Sequence, residues 1–189
     1  MYIITMVFLS IVATGAILAI WAMAAYNRLV SLSALVEEAW SGIDVQLKRR
    51  YDLIPNLVAV VNQYRIHEKE VLEKVTQTRA ASMNAQTIGE KGMAEKDLTG
   101  ALKTLFAVAE NYPDLKANEN FLALQQQLST LETEIQLSRR YYNGTARNYN
   151  INVATFPSNI MARIFQFKKV AYFELPNEKE RDVPKVDFK

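Results

Sequence analysis

Residues 1–27 have the sequence MYIITMVFLSIVATGAILAIWAMAAYN, in which no side chain is Lys, Arg, Asp or Glu. Of the first 25 residues, 21 are apolar. About 20 apolar residues in a helix are enough to cross the hydrocarbon core of a bilayer. Tyr2 near one end, with Trp21 and Tyr26 near the other, suits the aromatic belts at the two membrane interfaces. The stretch therefore predicts a single transmembrane anchor.

A cleaved signal peptide is the alternative for the same stretch, because Ala22, Met23 and Ala24 resemble a small-residue cleavage site. However, no basic residue precedes the apolar run, and the run is longer than the apolar core of a typical signal peptide. We therefore expect an uncleaved anchor. Arg28 is the only basic residue before Lys48, so the positive-inside rule favours a cytoplasmic C-terminal part only weakly.

The apolar pattern continues beyond the anchor at helical spacing. Strides of three and four connect Leu29, Leu32, Val36, Trp40, Ile43, Leu47, Tyr51, Ile54, Val58 and Val61. Such a stripe is typical of a helix that is buried along one side. No Gly or Pro separates the stripe from the membrane segment, which predicts one continuous helix. Pro55 cannot donate a hydrogen bond to the Tyr51 carbonyl, so a kink or short break is expected at residues 52–55.

Three further long helices are predicted at about residues 65–85, at 95–111 and from Phe121 onward. Residues 87–94 contain two glycines and predict a loop. The last helix carries a heptad pattern, whose period of 3.5 favours near-antiparallel packing. Its members are Phe121, Leu124, Leu128, Leu131, Ile135, Tyr142 and Tyr149. The expected fold is all-α, with an N-terminal transmembrane helix that continues into a long antiparallel bundle of about four helices.

The expected organisation has four parts. Residues 1–27 form the anchor and residues 28–156 the helical bundle. Residues 157–175 contain a short helix and form an aromatic flap that seals one end of the bundle. Its aromatic residues are Phe165, Phe167, Tyr172 and Phe173. Residues 176–189 are a polar tail.

Composition excludes several kinds of site. The chain has no cysteine, which removes disulfides, thiolate metal sites and thiol catalysis. Its one histidine, His67, precedes Glu68, but the second histidine of zinc or di-iron motifs is missing. The net charge of +2 is too balanced for a nucleic-acid binder. No phosphate loop, nucleophile elbow or dinucleotide fingerprint occurs. We expect no metal, no cofactor and no catalytic residue.

Two basic clusters are the main interaction candidates, Lys48-Arg49-Arg50 and Arg139-Arg140. They form either a solvated face with local ion pairs or a contact with lipid phosphate or an acidic partner. Because Arg50 and Arg139 lie beside apolar stripes, one of them is expected to pair with a carboxylate such as Asp52 inside the bundle.

Two smaller features complete the candidates. Asn143 and Tyr149 belong to a polar-aromatic patch, which either forms hydrogen bonds across the bundle or faces a partner. Gly15 and Ala19 are four residues apart and share a face of the membrane helix. Small residues let helices approach closely in lipid, so this face predicts a homo-oligomer.

The motifs together resemble the LemA family over about residues 24–174. They begin with Tyr26-Asn27-Arg28-Leu29-Val30, Ala39-Trp40, Val45-Gln46-Leu47-Lys48-Arg49-Arg50 and Asp52-Leu53-Ile54-Pro55-Asn56-Leu57-Val58. Ala107-Val108-Ala109-Glu110, Tyr112-Pro113-Asp114-Leu115-Lys116, Arg139-Arg140, Tyr149-Asn150 and Phe156-Pro157 follow in order. A departure is Thr133-Glu134, where many relatives have Asn-Arg.

This resemblance implies a bacterial single-pass membrane protein with no established catalytic activity. Some relatives carry a lipoprotein cysteine before the Tyr-Asn motif, which implies a bundle on the extracytoplasmic side of the inner membrane. The expected function is a non-enzymatic, oligomeric helical scaffold or adaptor for membrane partners. The alternative is a regulatory partner of an HtpX-type membrane zinc metalloprotease, since such proteases occur in gene neighbourhoods of the family. A third possibility is an enzyme with an unrecognised site.

Overall fold

The computed structural model describes residues 1–64 and 68–173 as six helices without a strand. The helices are α1 (Tyr2–Gln63), α2 (Lys69–Asn84), α3 (Ile88–Ala109), α4 (Pro113–Lys116), α5 (Glu119–Ala154) and α6 (Ser158–Ile164). The prediction of an all-α fold is confirmed. The predicted polar tail, the end of the flap and His67 lie outside the described residues.

The chain divides into two compact units. One contains Met1–Gly42 and Arg140–Val170, and we call it the anchor unit. The other contains Ile43–Arg139 and Ala171–Lys189, and we call it the bundle unit. The long helices α1 and α5 each contribute residues to both units.

Helix α1 begins in the apolar segment and is the one described helix that is long and apolar enough to cross a membrane. The most apolar stretch of α1 is not buried against any other described part of the chain. The helix continues without a break to Gln63, as predicted. Beyond the apolar segment, one side of α1 is buried at the predicted stripe, for example at Leu29, Val36 and Leu47. These features make α1 a single membrane anchor that is continuous with the folded helices.

The break expected near Pro55 is wrong, because α1 includes Pro55 and continues for two more turns. Pro55 lacks the N–H that would reach the carbonyl of Tyr51. In the structure the Nε of Arg79 on α2 donates to that carbonyl oxygen at 2.7 Å. A tertiary hydrogen bond therefore satisfies the acceptor that the proline leaves open.

In the bundle unit, α2 and α3 form a hairpin that packs on α1, and α5 completes a four-helix arrangement. Short connections make successive helices antiparallel neighbours. The ring centroids of Phe106 and Phe121 lie 6.1 Å apart where the end of α3 meets the start of α5. Buried apolar side chains from all four helices form the core. They include Ile43, Leu47, Ile54, Leu57, Val61, Leu72, Val75, Leu98, Leu102, Leu105, Leu128, Leu131 and Ile135.

Helix α3 begins at Ile88, so the loop predicted for residues 87–94 is wrong. Thr87 is the N-cap residue, and its hydroxyl oxygen accepts from the backbone N–H of Glu90 at 3.2 Å. The Glu90 carboxylate accepts from the Thr87 N–H at 3.1 Å in return. This reciprocal capping box stabilises the start of the helix, although the segment contains the two glycines from which a loop was predicted.

In the anchor unit, the buried residues Leu29, Met161 and Ala162 form a small core. Trp21, Ala22, Ala25, Val153 and Phe167 pack against it, half-buried. Helix α6 ends in a Schellman motif, because the N–H of Phe167 donates to the Ala162 carbonyl at 2.9 Å. Gln166 adopts the left-handed conformation that this motif requires, with φ of 60°.

The aromatic residues of the expected flap divide between the units. In the anchor unit the Tyr26 ring centroid lies 4.6 Å from that of Phe165 and 6.0 Å from that of Phe167. Phe165 is nevertheless half exposed to solvent. Phe173 belongs to the bundle unit and is buried.

Candidate functional site

The centre of the bundle unit is an ionic cluster around Arg50 on α1. Only 3% of Arg50 is exposed. Its Nη1 lies 3.0 Å from Oε2 of Glu132 on α5 and 3.4 Å from Oε2 of Glu95 on α3. Its Nη2 donates to the Thr99 hydroxyl at 2.9 Å. One guanidinium thus joins three helices, and the two carboxylates compensate for the desolvation of a buried charge.

Glu95 has an exposure of 0%, and both carboxylate oxygens are bonded inside the cluster. Its Oε1 accepts from the Tyr51 hydroxyl at 2.5 Å. Burial raises the pKa of Tyr51 above its ordinary value, and the charge of Glu95 and its hydrogen bond add to this effect. Tyr51 consequently remains a neutral donor. We call Arg50, Tyr51, Glu95, Thr99 and Glu132 the Arg50 cluster.

Arg50 pairs with carboxylates inside the bundle, as predicted for one of the two arginines, but the partners are Glu95 and Glu132 and not Asp52. Asp52 is exposed and lines a shallow groove of about 410 Å³ between α1 and α5. The Nη1 of Arg49, on the rim of that groove, lies 3.1 Å from Oε2 of Glu134. Glu134 thus forms a surface ion pair with Arg49.

Within each of the two basic clusters, neighbouring residues differ in their exposure to solvent. Lys48 and Arg49 are exposed, whereas Arg50 is enclosed. Arg139 is buried, and its guanidinium carbon lies 4.7 Å from the centroid of the Phe173 ring. Its Nε and Nη2 have no hydrogen-bond partner among the residues that the structure describes. Burial lowers the pKa of Arg139. Arg140, which belongs to the anchor unit, is exposed.

The polar-aromatic residues of α5 hold the anchor unit together. The side chain of Asn150 donates to the carbonyl of Val170 and accepts from its N–H, both at 2.9 Å. This amide pairing ties the segment after α6 to α5. Tyr149 is buried, which raises its pKa, while Ser33 on α1 opposes this shift. Asn143, one residue after Tyr142, is half-buried.

Gly15 and Ala19 lie on the exposed apolar part of α1. A methyl group added at Gly15 would meet no atom of the described part of the chain within 4 Å. The face that they share is therefore open to another helix within the membrane.

Glu95, Glu132 and Arg79 were not predicted as functional residues, because the fold brings them to α1 from distant positions in the chain. Glu95 lies 45 positions after Arg50, so no spacing rule connects them. A signal did exist, because Glu95 falls three residues before Leu98 and seven before Leu102, on the buried stripe of α3. A carboxylate on an apolar stripe predicts a buried cationic partner. Among the described residues, no group of three His, Asp or Glu side chains is placed to hold a metal ion.

Comparisons with known proteins agree on one family. The model of the LemA family matches residues 39–188. Protein LemA of Metamycoplasma hominis is 30% identical over 161 residues, which cover 83% of this chain and 72% of that protein. Magnetosome protein MamQ 2 of Paramagnetospirillum magneticum is 26% identical over 175 residues, and magnetosome protein MamQ of Magnetospirillum gryphiswaldense is 24% identical over 174 residues. The matches cover 79% and 78% of this chain but only 64% of each MamQ protein.

Proposed function

This chain belongs to the LemA family as a membrane-anchored helical protein, and from that premise we propose that it is a non-enzymatic scaffold or adaptor for membrane partners. The family resemblance predicted from the motifs is confirmed. In this role, the bundle would present a surface to partner proteins close to a bacterial inner membrane.

The Arg50 cluster is the observation that carries the proposal. An enzyme needs converging polar groups that a substrate can reach. In the bundle unit Arg50, Glu95 and Tyr51 are buried and bond to one another, so their charges are already compensated. The cluster borders an open groove on the side of Thr99 and Glu132, where the Glu132 carboxylate is paired with Arg50. Such a cluster fixes how the helices pack, which a binding surface requires. Surface charges such as Lys48 and Arg140 remain available for an acidic partner.

The relatives named magnetosome proteins suit an anchored structural role, because this name describes a component and not an activity. We further propose a homo-oligomer, joined through the face of Gly15 and Ala19. Several copies of a weak binding surface give avidity, which benefits a scaffold.

Co-purification from cells tests the scaffold role. The tagged full-length protein is crosslinked in cells and purified in mild detergent, in parallel with Lys48→Glu/Arg49→Glu and with Lys74→Glu on exposed α2 as the matched control. We expect specific membrane proteins with the wild type and the control, and their loss with the double variant. An HtpX-type protease as the recovered partner would favour the regulatory alternative. Purification without any specific partner would contradict the adaptor role.

We also propose that the bundle lies outside the cytoplasm, because the family resemblance implies it and Arg28 alone decides little. Protease added to spheroplasts is expected to cleave a C-terminal tag on the full-length protein. Protection of the tag until the membrane is lysed would reverse the orientation.

A further inference from the structure

Helix α6 lies beside the part of α1 at which the membrane segment ends. About 20 helical residues span the hydrocarbon core, so a span that begins near Ile3 ends near Ala22. Met161 and Ala162 of α6 pack against Leu29, in the same cluster as Trp21 and Ala22. Since all these residues belong to the anchor unit, α6 is held at the level where α1 leaves the bilayer.

The outer side of α6 is apolar, and no residue that the structure describes covers it. Ile160 and Ile164 are four residues apart, so they share one face of the helix. Ile160 is 45% exposed and Ile164 is 64% exposed. Phe156, four residues before Ile160, is 76% exposed, and Phe165 is 51% exposed. We call these four side chains the α6 apolar row. Ile160 and Ile164 lie on α6, Phe156 lies in the turn before it, and Phe165 follows it with one side of its ring against Tyr26. Large apolar side chains that are exposed close to one another in the chain indicate an interaction site.

The surroundings of the row are basic. Residues 140–170 contain five basic residues and no acidic residue, namely Arg140, Arg147, Arg163, Lys168 and Lys169. Arg163 directly precedes Ile164, and Lys168 and Lys169 follow Phe165 after two residues; all three basic residues are exposed. Beside the row, Trp21, Arg28 and Phe156 help line an open groove of about 490 Å³ where α1 meets the junction of α5 and α6. Apolar residues with adjacent Lys and Arg are the pattern of segments that lie on anionic membranes.

We propose that α6 and its flanking residues form a second membrane contact, which lies in the interface of an anionic bilayer. The α6 apolar row enters the boundary between headgroups and acyl chains, while Arg163, Lys168 and Lys169 bind lipid phosphate. The lipid bilayer is the occupant that the position favours, because the row is held next to the membrane-spanning part of the same unit. This inference rests on the membrane anchor and not on the scaffold role, so either can fail without the other.

Residue-specific fluorescence on the full-length protein tests this contact. Because the chain has no cysteine, Ile164→Cys provides one site for an environment-sensitive fluorophore. Leu35→Cys is the matched control, since Leu35 is an exposed apolar residue of the same unit. It lies 13 residues beyond Ala22, or about 20 Å along the helix. Both proteins are reconstituted at one chain per lipid nanodisc, with anionic or with neutral lipid.

In anionic discs we expect a blue shift of the label at position 164 and a loss of its quenching by aqueous iodide, with neither change at position 35. The Arg163→Gln/Lys168→Gln/Lys169→Gln variant should restore part of the quenching, and so should neutral lipid. Circular dichroism confirms that each variant is helical. Equal quenching at both positions would overturn the proposal. Protection that appears only in discs with two chains would overturn it as well, because the occupant would then be a second copy.

Discussion

At the residue scale, Arg50 and Glu95 are buried charges of opposite sign, and each compensates the charge of the other. Arg50 is enclosed on α1, and Glu95 is enclosed on a stripe of α3 that is otherwise apolar. A buried ion pair adds little net stability compared with apolar residues of the same volume, but the loss of one partner leaves an uncompensated charge. The main effect expected of the pair is therefore on specificity, because it destabilises arrangements of the helices in which the two side chains do not meet.

Glu95→Ala is expected to lower the free energy of unfolding by about 3–5 kcal/mol, because Arg50 loses a partner inside the core. Chemical unfolding of the full-length protein in detergent, followed by circular dichroism, measures the change. Glu73→Ala is the control, since Glu73 forms only an exposed pair with Lys69 and its removal should change stability by less than about 1 kcal/mol. Equal effects of the two substitutions would show that the Arg50 cluster is not formed.

The raised pKa of Tyr51 gives a pH dependence with a definite sign. The unfolded phenol titrates near pH 10, and the folded phenol titrates higher because it is buried beside Glu95. Its contribution to stability is complete below about pH 10 and disappears as the pH rises through the folded pKa. Between about pH 10 and 12, the stability of the wild type should therefore fall more steeply than that of Tyr51→Phe. Tyr141→Phe, at an exposed tyrosine, should retain the wild-type slope; identical slopes for all three proteins would refute the prediction.

At the element scale, α1 remains helical through Pro55 because α2 supplies the missing donor. The hydrogen bond from Arg79 to the Tyr51 carbonyl leaves no acceptor open at the proline. A buried acceptor without a partner costs about 1–3 kcal/mol. The effects of Pro55 and Arg79 on stability are therefore expected to be coupled, although Pro55 belongs to α1 and Arg79 to α2.

A double-mutant cycle measures this coupling. Arg79→Met alone should destabilise the protein by about 1–3 kcal/mol, because the carbonyl of Tyr51 loses its donor. In a Pro55→Ala background the backbone N–H of residue 55 is restored, so the same change at Arg79 should have a much smaller effect. Additive effects of the two substitutions would indicate that Arg79 stabilises α2 by other contacts.

The same elements show how far the sequence predicts the fold. The stripe from Leu29 to Val61 and the heptad from Phe121 onward are local periodicities, and both predict buried helix faces correctly. The start of α3 is also set locally, by the capping box of Thr87 and Glu90, but the loop was predicted from the two glycines alone. The unbroken helix at Pro55 and the carboxylate partners of Arg50 depend on contacts between helices. Periodicity within one helix places Glu95 on a buried stripe, but it does not identify which residues of the other helices meet there.

At the scale of the whole molecule, one apolar anchor leads into helices whose charged centre is enclosed. The anchor offers the face of Gly15 and Ala19 to a neighbour. Association of helices in lipid depends on close packing, since the hydrophobic effect gives no pairing force there. Assembly and membrane attachment are thus predicted to share one segment.

Gly15→Leu is expected to reduce the oligomer, because a large side chain keeps two helices apart at this face. The mass of the full-length protein in mild detergent measures the effect. Ile17→Leu is the matched control, since position 17 lies two residues away, on the opposite side of α1. A monomeric wild type would rule out the oligomer. An oligomer that persists in Gly15→Leu would place its contacts outside this face.

The separation of the Arg50 cluster along the chain also has a consequence for biosynthesis. Arg50 leaves the ribosome 82 residues before Glu132. At about 5–20 residues per second, that interval lasts roughly 4–16 s. During this time the membrane segment is complete, while the apolar stripe of α1 still lacks α5. A chaperone or the translocation machinery that shields α1 during those seconds would therefore protect the nascent chain from premature association.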